Sequence, residues 1–270
     1  MPTELMQLTG GAEKLTPVQA MILAEMADET SAYVMQPSRV KIAPGGIGQF
    51  VMGDEMAKTF TAIVPISQIN RGFWAREGTG SAPFCASGDG RLGSIAGEPS
   101  NEDFNAAARA RTPHYAIPLL TQGKALPEFF DCATCPMNQW GSEYVKGNGR
   151  GKACKESRRL LLFIDGWAAP AVFVLPIMSI KPWDGYCSAL RAKRSSYFGV
   201  KTKFELDSGK TAKGEPYNFI KVSSAGELDE DKMSMVIELR RQYMDLVRAM
   251  PVQNDEYETI DATASDEAPL

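Results

Sequence analysis

Hydrophobic and polar residues alternate with period two along KTFTAIVPIS, where Phe60, Ala62, Val64 and Ile66 share one side. That is the pattern of a half-buried β-strand. Just before it, SRVKIAPGG sets Val40 and Ile42 on one side and GQFVMG is short and extended, with Gly45, Gly46 and Gly48 marking a hairpin turn between them. Upstream, residues from Thr16 to about Thr30 predict a helix, with Thr16 as N-cap, Pro17 in the first helical position and Met21, Ile22, Ala24 and Met26 as its apolar residues. Strand patterns resume at Arg159–Ile164 and Ala171–Leu175, and Pro182 to Lys193 predicts a helix with proline in its first turn. Tyr197–Leu206 and Pro216–Val222 form a final strand pair around the polar turn DSGKTAKGE. A last helix begins near Glu227, where Glu227, Asp229, Glu230 and Asp231 match the dipole preference of a helix N-terminus. Met233, Val236, Ile237, Tyr243, Met244, Val247 and Met250 then recur at helical spacing, as a face packing on a core, until Pro251.

Between Arg71 and about Gly151 the periodicity is lost. The stretch is rich in Gly, Ser, Pro and Asn, with at most short helices near Asn101–Arg111. A loop this long needs its own source of order. The expected organisation is one domain over residues 1–250, with 71–156 inserted as a separate module. Residues 251–270 are too polar to fold and form an acidic tail.

Composition narrows the function. At 270 residues and 44% hydrophobic content the chain can build a sizeable core. Its longest uncharged apolar stretch, Gly166–Ile180, is interrupted by Pro170 and Pro176 and is shorter than the roughly 20 residues a membrane helix needs. MPTELMQLTGG lacks the basic-then-apolar pattern of a signal peptide, so a soluble, cytoplasmic protein is expected. The single histidine, His114 in TPHYAIP, leaves little room for His-dependent catalysis. No paired catalytic carboxylates stand out, and GNGRGKA lacks the spacing and hydroxyl of a phosphate-binding loop. A binding protein, not an enzyme, is the expectation.

The net charge of −4 hides an asymmetry. Asp255, Glu256, Glu258, Asp261, Asp266 and Glu267 are unopposed by Lys or Arg in the last twenty residues. Twelve basic residues between Lys146 and Lys203 face only Glu156, Asp165 and Asp184. A basic middle with an acidic end predicts a polyanion binder carrying its own competitor.

The five cysteines sharpen this. Cys132 and Cys135 form a C-x2-C in DCATCP, a spacing that lets two thiolates grip one ion from a tight turn. A structural site wants four ligands, and Cys85 and Cys154 complete it from the same irregular region. Cys187, on the apolar side of a helix, is expected to be a core thiol. Zinc is expected ahead of an iron–sulfur cluster, although four thiolates alone do not separate the two. Aromatics interleave with the cations: Arg71, Phe73, Trp74 and Arg76, then Trp140 near Lys152, Lys155, Arg158 and Arg159, then Tyr197 with Lys201 and Lys203. Stacking aromatics and backbone-tracking cations on strands describe a single-strand groove of the OB type. Trp74 and Trp140, in polar Gly-rich surroundings, are the aromatics expected to be exposed; Phe198 and Phe204 are balanced between groove and core.

The run CATCPMNQWGS followed by GKACKESRRLLL, with a solitary upstream Cys and an acidic C-terminus, resembles a family of phage and prophage single-stranded DNA-binding proteins. The resemblance covers Cys85 to about Leu162, with a looser match in strand layout to Met250. It implies an α+β fold: an OB-fold-like β-barrel with an inserted four-cysteine zinc-type module, flanking helices and a disordered acidic C-terminal tail. It also implies sequence-independent single-strand binding and protection in phage-type replication or recombination, in the cytoplasm of a bacterial host. The tail would dock replication or recombination proteins, although it ends Asp-Glu-Ala-Pro-Leu and not on an aromatic residue as tails of that kind do. Two other classes stay open. One is an iron–sulfur DNA-processing enzyme of the nuclease kind, which would require a carboxylate–metal site. The other is a zinc-containing duplex-DNA regulator, which would require a longer basic recognition helix than Ser188–Ser195.

Overall fold

The computed structural model describes residues 37–43, 48–74, 83–95, 129–143, 151–210 and 216–252, with Leu8, Thr16 and Met21 as isolated positions. These residues form a mixed α+β structure with a large open sheet and two α-helices. The strands are β1 (Ser38–Ile42), β2 (Phe50–Met52), β3 (Glu55–Ala57), β4 (Thr59–Phe73), β5 (Cys85–Ser87), β6 (Leu92–Ile95), β7 (Phe129–Asp131), β8 (Lys155–Ile164), β9 (Ala171–Leu175), β10 (Val200–Lys210) and β11 (Pro216–Glu227). Helix α1 spans Ile177–Ala192 and α2 spans Glu230–Ala249. The strand order is β3-β2-β1-β9-β8-β4-β5-β6-β7, with β10 joining β4 to β11. Among the described residues no pairing closes this order into a barrel. No helix among them is long and apolar enough to cross a membrane.

The chain divides into two compact units. Unit 1 comprises Met1–Ser67, Arg159–Asp245 and Ile260–Leu270; unit 2 comprises Gln68–Arg158 and Leu246–Thr259. In unit 1 the period-two pattern gives way to strands covered on both faces. Ile63 and Val64 are both fully buried in β4, as are Leu160 to Phe163 in β8. Such continuous apolar runs belong to central strands. The core is aromatic. The Phe60 ring stacks on Phe204 at 4.8 Å, Phe50 meets Phe60 edge-on at 4.8 Å, and the Trp183 ring lies parallel to Phe204 at 6.2 Å. Trp183 donates its indole N–H to Ser67 Oγ at 3.0 Å, so its one polar atom is satisfied inside the core. Phe204 is therefore a core residue. Cys187 packs, partly buried, against the same cluster.

Several boundaries differ from those the sequence predicts. Helix α1 starts at Ile177, so Pro182 lies inside it and not in its first turn. Proline's fixed φ suits a helix and costs one hydrogen bond, and the contacts of Ser179 and Trp183, both fully buried, outweigh that cost. Tyr197 belongs to a 3-10 turn, Tyr197–Gly199, with β10 starting at Val200. Strand β11 runs on to Glu227, and the last helix starts after Asp229, whose carboxylate accepts the Lys232 N–H at 2.8 Å as an N-cap. The expected helix from Thr16 and the short helices near Asn101–Arg111 lie outside the described residues, apart from the isolated positions named above.

Among the described residues strand β11 has a ladder partner on one side only, so the N–H groups on its other side need different acceptors. The Ile220 N–H finds Ser179 Oγ at 3.0 Å, tying β11 to α1 where both residues are fully buried. Ser179→Ala leaves that donor buried without an acceptor. It is expected to lower the unfolding free energy by about 1–3 kcal/mol, read from urea titration followed by far-UV circular dichroism.

Candidate metal centre and nucleic-acid interface

Unit 2 contains the cysteine-rich region, and its local order starts from the C-x2-C turn. Asp131 organises that turn: its Oδ1 accepts the Ala133 N–H at 2.9 Å, its Oδ2 accepts the Thr134 hydroxyl at 3.1 Å, and its carbonyl accepts the Cys135 N–H at 3.0 Å. Pro136 then starts a single 3-10 turn, Pro136–Asn138. The Asn138 amide donates back to the Cys132 carbonyl at 2.7 Å. Two further bonds bring in the other segments: Cys132 N–H to the Arg91 carbonyl at 2.7 Å, and Cys154 N–H to the Met137 carbonyl at 2.8 Å.

The strand register aims the remaining residues at the same place. Phe73 pairs with Cys85 and Arg71 with Ser87 between β4 and β5, and Gly93 pairs with Phe130 between β6 and β7. Alternation therefore sends Arg71, Phe73, Cys85, Ser87 and Phe130 to one face. That face, the C-x2-C turn and Cys154 together line a single pocket containing all four cysteines expected from the sequence. Gly93 is what makes room. A Cβ there would stand 2.8 Å from the Cys85 sulfur and 3.7 Å from that of Cys132.

Among the described residues no group of three or more His, Cys, Asp or Glu side chains is arranged to hold a metal ion. The finished four-sulfur shell expected from the sequence is thus not seen; four free thiols lining one pocket are. Their surroundings fit a thiophilic cation. Burial, then the charges of Cys135 and Cys132, push the Cys85 thiol up to about 12. Cys154 is pushed well above the usual thiol range, by burial first and then by the other three sulfurs. Burial also raises Cys135, while the backbone N–H groups of Met137 and Asn138 hydrogen-bond to its sulfur and favour the thiolate. Backbone donors to the second sulfur of a C-x2-C turn are what a metal-bound thiolate uses to spread its charge.

Arg71 belongs to this pocket and not to an open groove. Its Nε and Nη2 donate to Glu156 Oε2 at 3.2 and 2.7 Å, and its Nη1 donates to the Gly90 carbonyl. Burial opposes its charge, but Glu156 and the sulfurs of Cys132 and Cys154 outweigh burial and keep the guanidinium cationic.

The residues expected to touch nucleic acid separate into groups. Phe73 and Trp74 are buried, at 2% and 4% exposure, and stack on nothing from solvent. Phe73 packs against Met137, Ala153 and Cys154, while the Trp74 ring fills the space that a side chain at Gly72 would occupy. Arg159 is fully buried in β8, a consequence of the strand's double-sided burial. Tyr197 is half-buried and accepts a hydrogen bond from Arg240 Nη1 at 3.0 Å. Lys155, Lys201 and Lys203 hold carboxylates of Glu143, Asp165 and Glu205 at 2.8 to 3.1 Å. Arg158 is half-buried, and Arg76 lies outside the described residues, as does His114.

Trp140 is different. It is 77% exposed, directly after the cysteine turn, with the Lys152 ammonium 5.7 Å from its ring centroid. Lys152 is steadied by Asn138 Oδ1 at 3.3 Å. An exposed indole beside a cation on a braced turn offers a π-face and a charge to one ligand. Sequence reasoning missed Gly93, the pocket role of Arg71 and the bracing by Asp131 and Asn138. Only the Asp before the C-x2-C and the Asn after it were visible as turn-forming types.

The chain matches no protein-family model, no curated protein and no solved structure.

Gly93→Ala tests the pocket geometry. Forcing a methyl against the Cys85 sulfur is expected to destabilise unit 2 by about 1–3 kcal/mol and to speed alkylation of Cys85 and Cys132, followed by peptide mass spectrometry. Wild-type labelling rates in the variant would mean that the sulfurs do not depend on this gap.

Proposed function

We propose that this protein binds single-stranded DNA without sequence preference and that Cys85, Cys132, Cys135 and Cys154 hold a structural zinc ion. The observation carrying the first part is Trp140, exposed on the cysteine turn with Lys152 beside it. A stacking indole needs an unpaired base, because bases inside a duplex have no free face. The second part is supported by four cysteines lining one pocket, by backbone donors to the Cys135 sulfur and by the gap at Gly93. Zinc supplies no redox chemistry. Bound there, it would cross-link three chain segments and contribute folding free energy to unit 2. Arg71, held by Glu156, offsets part of the negative charge that four thiolates leave on a dication.

Within this reading Lys152 is the leading phosphate contact. Lys155, Arg158, Lys201 and Lys203 act only by exchanging or sharing their present partners. The OB-like barrel is part of the proposal, supported by β4, a fifteen-residue strand that pairs with β10 at its start and β5 at its end. The place in phage-type replication or recombination rests on the resemblance of the cysteine segment. So does docking of partner proteins on the acidic tail, which lies outside the described residues beyond Val252.

Elemental analysis of freshly purified protein is expected to find one zinc per chain, lost in Cys132→Ser and retained in Cys187→Ser. Because burial and neighbouring sulfurs hold Cys85, Cys135 and Cys154 toward the protonated thiol, protons compete with the metal and zinc affinity falls as pH is lowered. Iron in place of zinc would favour the cluster alternative, and absence of any metal would refute the centre.

In fluorescence anisotropy, labelled oligo-dT is expected to bind clearly more tightly than a duplex of equal length. Trp140→Ala should cost about 1–3 kcal/mol of that affinity and leave the salt dependence unchanged, since stacking releases no counterions. Equal affinity for duplex and single strand would sink the reading.

A further inference from the structure

We propose that Arg191, Lys193 and Arg194, at the C-terminal end of α1, form a phosphate-binding patch by which unit 1 grips the backbone of single-stranded DNA. The proposal rests on the nucleic-acid reading above and adds residues which that reading does not name. The cations of unit 1 differ in whether a carboxylate opposes them. Lys201, Lys203 and Lys221 of unit 1 each face a carboxylate, of Asp165, Glu205 and Asp207. On α2, Lys232 and Arg241 pair with Asp229 and Glu238. Arg191, Lys193 and Arg194 are exposed and have no carboxylate partner among the described residues. Three unneutralised cations within four residues concentrate positive potential in one place, which is what a polyanion seeks.

The backbone supplies an independent observation. The N–H groups of Lys193 and Ser195 both return to the Leu190 carbonyl, at 2.9 and 3.0 Å, and that of Arg194 to the Arg191 carbonyl at 2.9 Å. The helix end is closed by main chain alone, so none of the three side chains is needed as a cap. Arg194 occupies the left-handed position of this closure, with φ of 61°. It is the one non-glycine residue with positive φ among the described residues. Glycine or asparagine relieves such a position, and a long side chain is strained there. The strain brings no packing in return, because Arg194 is exposed. Attraction between cations and the helix dipole accounts for charge in the last turn. It does not account for arginine at the strained position.

Arg194→Gly separates the two roles because its effects run in opposite directions. Removing the strain is expected to raise the melting temperature of the full-length protein. Removing the charge is expected to weaken binding of labelled oligo-dT at low salt and to reduce the log–log salt slope by about 0.7. Neutralising all three (Arg191→Gln, Lys193→Gln, Arg194→Gly) is expected to reduce the slope by about 2, at about 0.7 per lost phosphate contact. Lys232→Gln, which removes a paired cation elsewhere in unit 1, serves as the control with wild-type slope. If wild-type protein binds oligo-dT but the triple variant keeps its slope, the patch is overturned and the single-strand reading stands. A loss confined to duplex binding overturns the patch as stated. Should wild-type protein fail to bind oligo-dT at all, both fall together.

Discussion

Four sulfurs drawn into one buried pocket form the constraint on which unit 2 depends. Strands β5, β6 and β7 have three or four residues each, too few to hold together by ladder bonds alone. Among the described residues the apolar cluster beneath them is small, with Phe73, Met137, Ala153 and Cys154 as its buried members. What the segment lacks in hydrophobic area it replaces with convergence: Cys85 from β5, Cys132 and Cys135 from one turn, and Cys154 from the approach to β8. As thiolates these groups repel one another, which is why burial and neighbouring sulfurs both drive Cys85 and Cys154 toward the protonated thiol. A dication reverses the sign of that interaction. Gly93 and Arg71 make sense in the same terms, one by leaving space for the sulfurs and the other by carrying a fixed positive charge at their edge.

The same bookkeeping of charge decides which surfaces are available. A count along the chain finds a strongly basic middle, but folding brings acids to it from elsewhere. Glu143 sits almost fully buried against Lys155, and Glu205 lies two residues beyond the last lysine counted. Exposed pairs such as Lys203 with Glu205 are each worth only about 0–1 kcal/mol, so an arriving phosphate can displace the carboxylate at little cost. The Lys155 pair is another matter, because separating it strands a buried carboxylate. Linear composition therefore overstates the basic face, and the cations that matter are those whose neighbours in space, not in sequence, leave them unopposed.

Local pattern carried much of the fold. Ala171–Leu175 is a strand with the boundaries its apolar run predicts, and β4, β8 and the final hairpin follow from alternation or from short continuous apolar runs. Pro182 misled because proline's meaning depends on context: it reads as a first-turn residue unless tertiary contacts carry the helix past it, as those of Ser179 and Trp183 do. Trp74 misled for a related reason. Its polar, glycine-rich neighbours imply exposure, yet one of those glycines, Gly72, is the surface the indole covers. Trp140 has equally polar neighbours and is exposed, and nothing local distinguishes the two. The candidate site was legible in its ligand types and in the C-x2-C spacing. Its inner lining was not, because Arg71 and Gly93 acquire their roles through strand register, a property of pairs of segments far apart in the chain.

On the proposed reading, the cysteine pocket and the stacking surface are coupled by how Trp140 is held. Its indole is exposed, but its backbone is pinned. The Gln139 side-chain amide donates to the carbonyls of Ala133 and Cys135, at 3.0 and 3.3 Å, and the Gly141 N–H donates to the Gly151 carbonyl at 2.9 Å. Trp140 thus stands between two residues pinned to the cysteine turn and to the strand-like bridge that leads into Cys154. Binding a base then orders one side chain with two rotatable bonds, whereas on a mobile loop it would also have to order the backbone, at about 1–2 kcal/mol per residue. That cost is comparable to what one stacked base contributes, about 1–3 kcal/mol. Without the brace, stacking would yield almost nothing. On the proposed reading, a filled cysteine centre would act on nucleic-acid affinity without touching the nucleic acid, by meeting the ordering cost of the turn before the ligand arrives.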